Sequence, residues 1–447
     1  MVKVITYGTF DLLHHGHIKL LERAKALGDY LFVGITADDF DKTRGKINVQ
    51  QPLMERIDSV KATGLADEII VEEYEGQKID DIQRYGINIF TVGSDWEGKF
   101  DYLNEYCNVI YLPRTQGISS SDLRAKQRQI QLGLVGESPV LHKFIHECKN
   151  VNGIEIKGLC SGNQSEAKTE FPELSYITDN YCEFLQKVDA VYIVSHPVKH
   201  YSQIKEALDS GKHVLCESPI AISEKECAEL FDLAAEKGLI LMEGLKTAYS
   251  TAYSRLLLLL KSDIIGKIVS IDATCTSIRG IEEYSPKQLS ESWNSICAWG
   301  PVAMLPIFQL LGTGYTDKKI ISSFADSNKS FDSFTKVNFT YPKAVASILV
   351  GKGIKSEGEL IISGTKGYVY VPAPWWKMDY FEVRYENPAD NKRFFYQLDG
   401  EGLQYEAVAF VRAIESGKTS KYISLNTSKQ ICSVIEDFFN KKDCVEI

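Results

Sequence analysis

Positive charge is in short supply in this chain: 50 Lys and Arg stand against 60 Asp and Glu, a formal net charge of -10. Neither the first 128 residues nor the remainder is net basic. That argues against a nucleic-acid partner, whose binding is driven by phosphate neutralisation. Long apolar runs are missing too. The longest, Leu256 to Leu260, is far short of a bilayer span. The N-terminus opens directly on a strand pattern, without the regions of a signal peptide, so a cytoplasmic protein is expected. No two of the ten cysteines are spaced C-x-x-C, which disfavours a metal cage and leaves reduced, buried thiols as the simpler reading. No linker, internal repeat or low-complexity segment stands out. What is present is 447 residues, 44% hydrophobic and 25% charged, enough for two or three globular domains.

The pattern of the first 128 residues predicts an α/β domain with a doubly wound parallel sheet. Strands are expected at Val2–Tyr7, Tyr30–Thr36, Glu68–Val71, Ile87–Val92 and Asn108–Tyr111, with helices between them. Residues 129–265 alternate in the same way and predict a second, Rossmann-like α/β domain. Its strands are expected from Ile130 and at Ile154–Leu159, Ala190–Val194, His213–Cys216 and Leu239–Met242. From about Ile268 the apolar period becomes 2. Residues 266–447 therefore predict an α+β domain built on an open, mostly antiparallel sheet, with a last helix near Tyr405–Ser416.

The most informative stretch is Gly8-Thr9-Phe10-Asp11-Leu12-Leu13-His14-His15-Gly16-His17. It lies where the first strand hands over to the first helix. Unpaired N–H groups and the positive end of a helix dipole favour an anion there, and imidazoles add donors for phosphate oxygens. Three further groups are expected at the same sheet edge. Arg114-Thr115-Gln116-Gly117-Ile118-Ser119-Ser120 follows the fifth strand, with a guanidinium fork and helix-capping hydroxyls. Lys42, Arg44 and Lys46 follow the second strand, and Gly93-Ser94-Asp95-Trp96 the fourth. Singly, each has a plain reading as a cap, a turn or a solvated loop; together they describe a site.

These motifs resemble those of the glycerol-3-phosphate cytidylyltransferases, within the wider HxGH nucleotidyltransferase superfamily. The likeness extends through Gly16–Lys25, Asp95-Trp96-Glu97-Gly98-Lys99-Phe100-Asp101 and Tyr111–Ser119, and covers the whole first domain. Two departures are His15, where the family carries tryptophan, and Ser120-Ser121 in place of a threonine pair. The resemblance implies that CTP and sn-glycerol 3-phosphate give CDP-glycerol and pyrophosphate. It implies catalytic roles for His14, His17, Lys46 and Arg114. Thr9, Phe10, Asp11, Gly16, Arg114, Thr115, Gly117, Ile118, Ser119 and Ser120 would hold the nucleotide. Lys19, Arg44, Lys46, Arg56, Asp95 and Trp96 would face the acceptor. Mg²⁺ or another divalent cation would bridge the triphosphate, with Asp11 as a nearby carboxylate. The product would serve capsule or teichoic-type polymers.

Residues 130–447 resemble the glucose-fructose oxidoreductase and inositol dehydrogenase family, in Ala190–Val194, Ala207–Glu217, Leu241–Gly244, Gly266–Asp272 and Ile361–Gly367. Three chemical positions depart from it. The dinucleotide fingerprint reads Gly136-Glu137-Ser138-Pro139-Val140-Leu141, with serine where the second glycine lets the backbone approach a pyrophosphate. The family's Glu-Lys-Pro reads Glu217-Ser218-Pro219. Its active-site aspartate and histidine are replaced by Ala298 and Leu305, around Gly300. These losses count against NAD(P) as a cofactor and predict an inactive, oxidoreductase-like domain that assembles a homo-oligomer. The alternatives are a working NAD(P)-dependent reductase that makes the polyol phosphate, and a scaffold that recruits a partner.

Overall fold

Parallel strands separated by helices organise most of the chain in the computed structural model, which describes residues 1–37, 49, 51, 53–73, 76–113, 129–149, 151–396, 398, 400–419 and 422–447. The chain divides into two units, Met1–Gln129 and Ile130–Ile447.

The first unit holds β1 (Lys3–Gly8), α1 (His15–Lys25), β2 (Tyr30–Thr36), α2 (Leu53–Ala62), β3 (Glu68–Glu72), α3 (Gln77–Tyr85), β4 (Ile89–Gly93) and β5 (Asn108–Leu112). The sheet is wholly parallel, in the order β3-β2-β1-β4-β5. Side chains alternate across β1, so each face is covered. Ile5 and Tyr7 join Phe32, Ile82 and Phe90 on one side; Val4 joins Leu21, Ala24, Leu31 and Val60 on the other. Gly34 in β2 is required by its neighbour: a Cβ there would stand 2.2 Å from the Tyr7 ring. The chain winds one way from β1 to β2 and the other way to β4. This makes a switch point outside the carboxyl ends of β1 and β4, where open parallel sheets bind ligands.

The second unit begins with β6 (Ile130–Val135), α4 (Val140–Cys148), β7 (Ile154–Cys160), α5 (Gln164–Glu170), β8 (Ile177–Thr178), α6 (Tyr181–Leu185), β9 (Ala190–Ile193), α7 (Pro197–Asp209), β10 (His213–Glu217), α8 (Glu224–Glu236) and β11 (Leu241–Gly244). The strands form a parallel sheet in the order β11-β10-β9-β6-β7-β8. After α9 (Lys246–Tyr249) and α10 (Thr251–Lys261) comes a ten-stranded sheet. It contains β12 (Ile268–Ile278), β13 (Asp317–Phe324), β14 (Asp332–Tyr341), β15 (Ala344–Gly351), β16 (Gly353–Ile354), β17 (Leu360–Gly364), β18 (Tyr368–Val371), β19 (Tyr380–Arg384), β20 (Lys392–Phe395) and β21 (Cys444–Glu446). It is mixed: β12 pairs with β15, and β13 with β21, in parallel, while the other pairs are antiparallel.

Four helices accompany that sheet: α11 (Pro286–Glu291), α12 (Ser295–Leu310), α13 (Leu403–Ser416) and α14 (Leu425–Phe439). The periodicity places a last helix near Tyr405–Ser416, which is α13, but it is not the last: α14 follows it. Helix α12 is apolar almost all round and buried from Ser295 to Phe308 save for Ala298 and Trp299, so it has no amphipathic stripe to betray it. Leu256–Leu260 falls in α10, and no helix among the described residues is long and apolar enough to cross a membrane.

Candidate active site

The turn after β1 bends sharply. Phe10 and Leu12 sit at φ 53° and 48°, in the left-handed region that bulky side chains avoid. Several contacts hold them there. The Gln51 side chain accepts from Leu12 N–H (2.7 Å), while Gln51 N–H donates to the Asp11 carboxylate (2.9 Å). The Arg56 guanidinium is fully buried beneath the turn and donates to the carbonyl oxygens of Thr9 (2.6 Å), Thr36 (2.9 Å) and Gln51 (3.0 Å). One side chain therefore ties together the turn after β1, the end of β2 and the entry to α2.

His14 caps α1. Its Nδ1 accepts from Gly16 N–H at 3.1 Å, so the neutral ring carries its proton on Nε2 and presents a donor there. One turn later His17 stacks on His14, with ring centroids 3.9 Å apart and planes at 18°, and meets the edge of Phe10 at 5.5 Å. The spacing places both imidazoles on one face of the helix start.

The remaining expected residues separate by position. Thr9 and Asp11 are buried in the turn. Gly16 lies in the first turn of α1, and His15 is exposed. Lys19 forms a surface ion pair with Glu22 (2.6 Å). Asp95 is exposed in a short 3₁₀ turn at the end of β4, and Trp96 beside it packs on Phe100 (5.9 Å) under Lys99 (5.2 Å). Asp95-Trp96 and the His14–His17 pair thus lie beyond the two strands that flank the switch point. Lys42, Arg44, Lys46, Arg114, Thr115, Gly117, Ile118, Ser119 and Ser120 lie outside the described residues. The chain enters the last group at Pro113, whose carbonyl accepts from Arg23 of α1 (2.6 Å).

A buried polar network near the ends of β2 and β3 gave no signal in the sequence. Tyr7 donates to Asp81 (2.8 Å), which also accepts from Gln77 (3.0 Å), and Lys78 pairs with Glu72, which accepts from Thr36 (3.0 Å). Burial and the Asp81 hydrogen bond keep the Tyr7 hydroxyl protonated. Gln51 was equally silent. Among the described residues no cluster of three or more His, Cys, Asp or Glu could hold a metal.

In the second unit, the turn from β6 to α4 pivots on Gly136 (φ 124°), where a Cβ would stand 2.7 Å from Ser195 N. The Glu137 carboxylate accepts from Gly162 N–H (2.8 Å) beyond the end of β7, and the Ser138 hydroxyl accepts from Val140 N–H (3.3 Å) at the start of α4. Ser218 donates to Glu243, which also accepts from Ser428 of α14. Glu243 is buried, and burial raises its pKa.

Known proteins divide along the same line. A cytidylyltransferase-like family model matches residues 5–126, and the model of the oxidoreductase family with an NAD-binding Rossmann fold matches residues 130–245. The chain is 52% identical over 129 residues to a glycerol-3-phosphate cytidylyltransferase of Bacillus spizizenii, covering 28% of this chain and 95% of that protein. The enzyme of the same name from Staphylococcus aureus is 44% identical, with 28% and 93% covered. A rabbit (Oryctolagus cuniculus) trans-1,2-dihydrobenzene-1,2-diol dehydrogenase is 27% identical over 263 residues, with 56% and 78% covered. A 3-ketoreductase from Actinomadura kijaniata, solved with NADP and TDP-benzene, superposes with a TM-score of 0.62 at 18% identity over 72% of this chain and 99% of its own, which shows a shared fold. Through its first unit, with the paired imidazoles at the opening of α1, this chain belongs to the glycerol-3-phosphate cytidylyltransferase family of nucleotidyltransferases.

Proposed function

We propose that the first unit converts CTP and sn-glycerol 3-phosphate to CDP-glycerol and pyrophosphate. An oxygen of the acceptor phosphate attacks the α-phosphorus, the α–β anhydride bond breaks, and pyrophosphate leaves. The acceptor is already an anion, so no strong base is needed; positioning and charge stabilisation carry the rate. The observation that supports this most is the stacked His14–His17 pair at the α1 N-terminus beside the switch point. His14 and His17 would donate to the α- and β-phosphates, with Arg114, Thr115, Gly117, Ile118, Ser119 and Ser120 around the triphosphate. Lys46, Arg44 and Lys19 would neutralise the acceptor and leaving groups. Arg56 and Gln51 would hold the turn in shape, and Asp95-Trp96 would face the nucleotide or polyol. With no protein-built cage among the described residues, a divalent cation fits best as one carried by the triphosphate. Pyrophosphate release, measured with each nucleoside triphosphate against a panel of polyol phosphates, tests this reading. CTP with glycerol phosphate should lead, and normal turnover in His17→Ala would refute it.

For the second unit the reading is a domain that no longer transfers hydride. The Glu137 carboxylate stands at the pyrophosphate-binding turn, the Ser138 hydroxyl is engaged by the α4 backbone, and Ser218 is tied to Glu243 where the family carries its lysine. A dinucleotide fits these residues poorly. Such a unit serves as a homo-oligomerisation or scaffold domain. Its ten-stranded sheet leaves Val345 and Tyr368 exposed on one face. The product is assigned to capsule or teichoic-type polymers.

A further inference from the structure

The crevice beyond the carboxyl ends of β6 and β7 keeps the scaffold of a nucleotide site. Gly136 N–H donates to the Cys160 carbonyl at the end of β7 (3.0 Å), and the turn leaves no room for a side chain at Gly136. Leu141 is fully buried and docks α4 on the sheet. The helix therefore aims its positive end at the crevice. What meets that end is different. Pro139 caps α4 and has no N–H to offer. Val140 N–H meets the Ser138 hydroxyl at 3.3 Å, and Leu141 N–H meets the Ser138 carbonyl at 3.0 Å.

Glu137 goes further. Its Oε1 reaches from the β6 turn to the end of β7 and accepts from Gly162 N–H at 2.8 Å. A dinucleotide-binding sheet carries the acid for the ribose at that strand end; this chain has Ser161, Gly162 and Asn163 there. A Cβ built on Gly162 meets, among the described residues, only the Glu137 oxygen within 4 Å, at 3.4 Å. One carboxylate thus occupies the gap between the two strand ends. The contacts differ in strength. The 3.3 Å bond to Ser138 is long for N–H···O and yields readily, whereas the 2.8 Å bond is charge-assisted and holds. A carboxylate held there also opposes any phosphate brought beside it.

We propose that Glu137 is the specificity-determining residue that closes this crevice: its carboxylate sits in the place of a nucleotide's ribose and repels the neighbouring pyrophosphate. This rests on the reading of the second unit as one that holds no dinucleotide. It assigns the exclusion to one side chain on an intact scaffold.

Titration of the full chain with NADH and with NADPH, read by the fluorescence anisotropy of the cofactor, tests it. The parent should show no saturable rise in the submillimolar range. Glu137→Ala should bind saturably, with an affinity at least about tenfold above the parent's limit. Glu137→Gln keeps the size and the acceptor but drops the charge, and it should fall between the two. Glu155→Gln removes a charge from the opposite end of β7 and should behave like the parent. Glu137 and Glu155 are both exposed, so the variants keep the fold. Silence from Glu137→Ala, or an equal gain in Glu155→Gln, overturns the assignment to Glu137 and leaves the wider reading of the second unit in place. Saturable binding by the parent overturns both.

Discussion

The turn from β1 to α1 and the turn from β6 to α4 occupy equivalent places in two parallel sheets, yet they present opposite chemistry to a phosphate. The first offers a helix start with two stacked imidazoles. The second offers a carboxylate, Glu137, and a serine already engaged by its own helix. The scaffold survives in both; the side chains in the turn decide what it can hold.

The strongest challenge to this contrast is His17→Ala. If His17 donates to the triphosphate as proposed, its loss should cut CDP-glycerol synthesis by about 10²–10³-fold in kcat, measured by pyrophosphate release. Activity within a few-fold of the parent would erase the distinction between the two turns.

The units should also differ in how acidity affects their stability. Burial lifts Asp332 from 3.8 to about 6 and Glu217 from 4.5 to about 6 in the second unit. Between those values the folded unit holds protons that the unfolded chain has released, so its stability falls as pH rises from about 4 to about 6. Asp332 alone accounts for roughly 2–3 kcal/mol of that fall. In the first unit, Asp67, bound to Lys25, has a lowered carboxyl, and its contribution runs the other way, fading as pH drops below the ordinary carboxylate range. Calorimetry across this window should show a slope that Asp332→Asn flattens.

Ser218→Ala sharpens the comparison from the opposite side. It takes one of two hydroxyl donors from buried Glu243, which should cost about 1–2 kcal/mol of stability, read by denaturant melts, while leaving pyrophosphate release unchanged. Gln51→Ala removes the acceptor for Leu12 N–H and should lower kcat by about tenfold, equivalent to one hydrogen bond of about 1.4 kcal/mol, with little change in melting. The smallest effect belongs to NADH and NADPH: titration should give no saturable change in cofactor fluorescence, and saturable binding would restore the second turn to dinucleotide service.

Much of this was legible from residue order. Tyr30–Thr36 and Tyr368–Val371 match strand boundaries read from apolar runs, because short buried strands are bounded by turn residues that end them visibly. The His14–His17 spacing placed the imidazoles correctly. What could not be read depended on distant partners. Gln51 looks like any polar loop residue until the chain brings it to Leu12, 39 positions away. Arg56 reads as a ligand-facing cation because nothing local reveals that Thr9 and Thr36 carbonyls surround it. The open sheet of the second unit read as mostly antiparallel, and it is; its two parallel pairings, β12–β15 and β13–β21, stayed hidden because period 2 is the same whichever way a neighbour runs.

The bond from Gly16 N–H into His14 Nδ1 has a practical outcome. It settles the imidazole tautomer before any nucleotide arrives, leaving the proton on the far side of the ring. A triphosphate therefore meets a ring whose Nδ1 is already spent inside the helix start, so the opposite edge is the one left to face it.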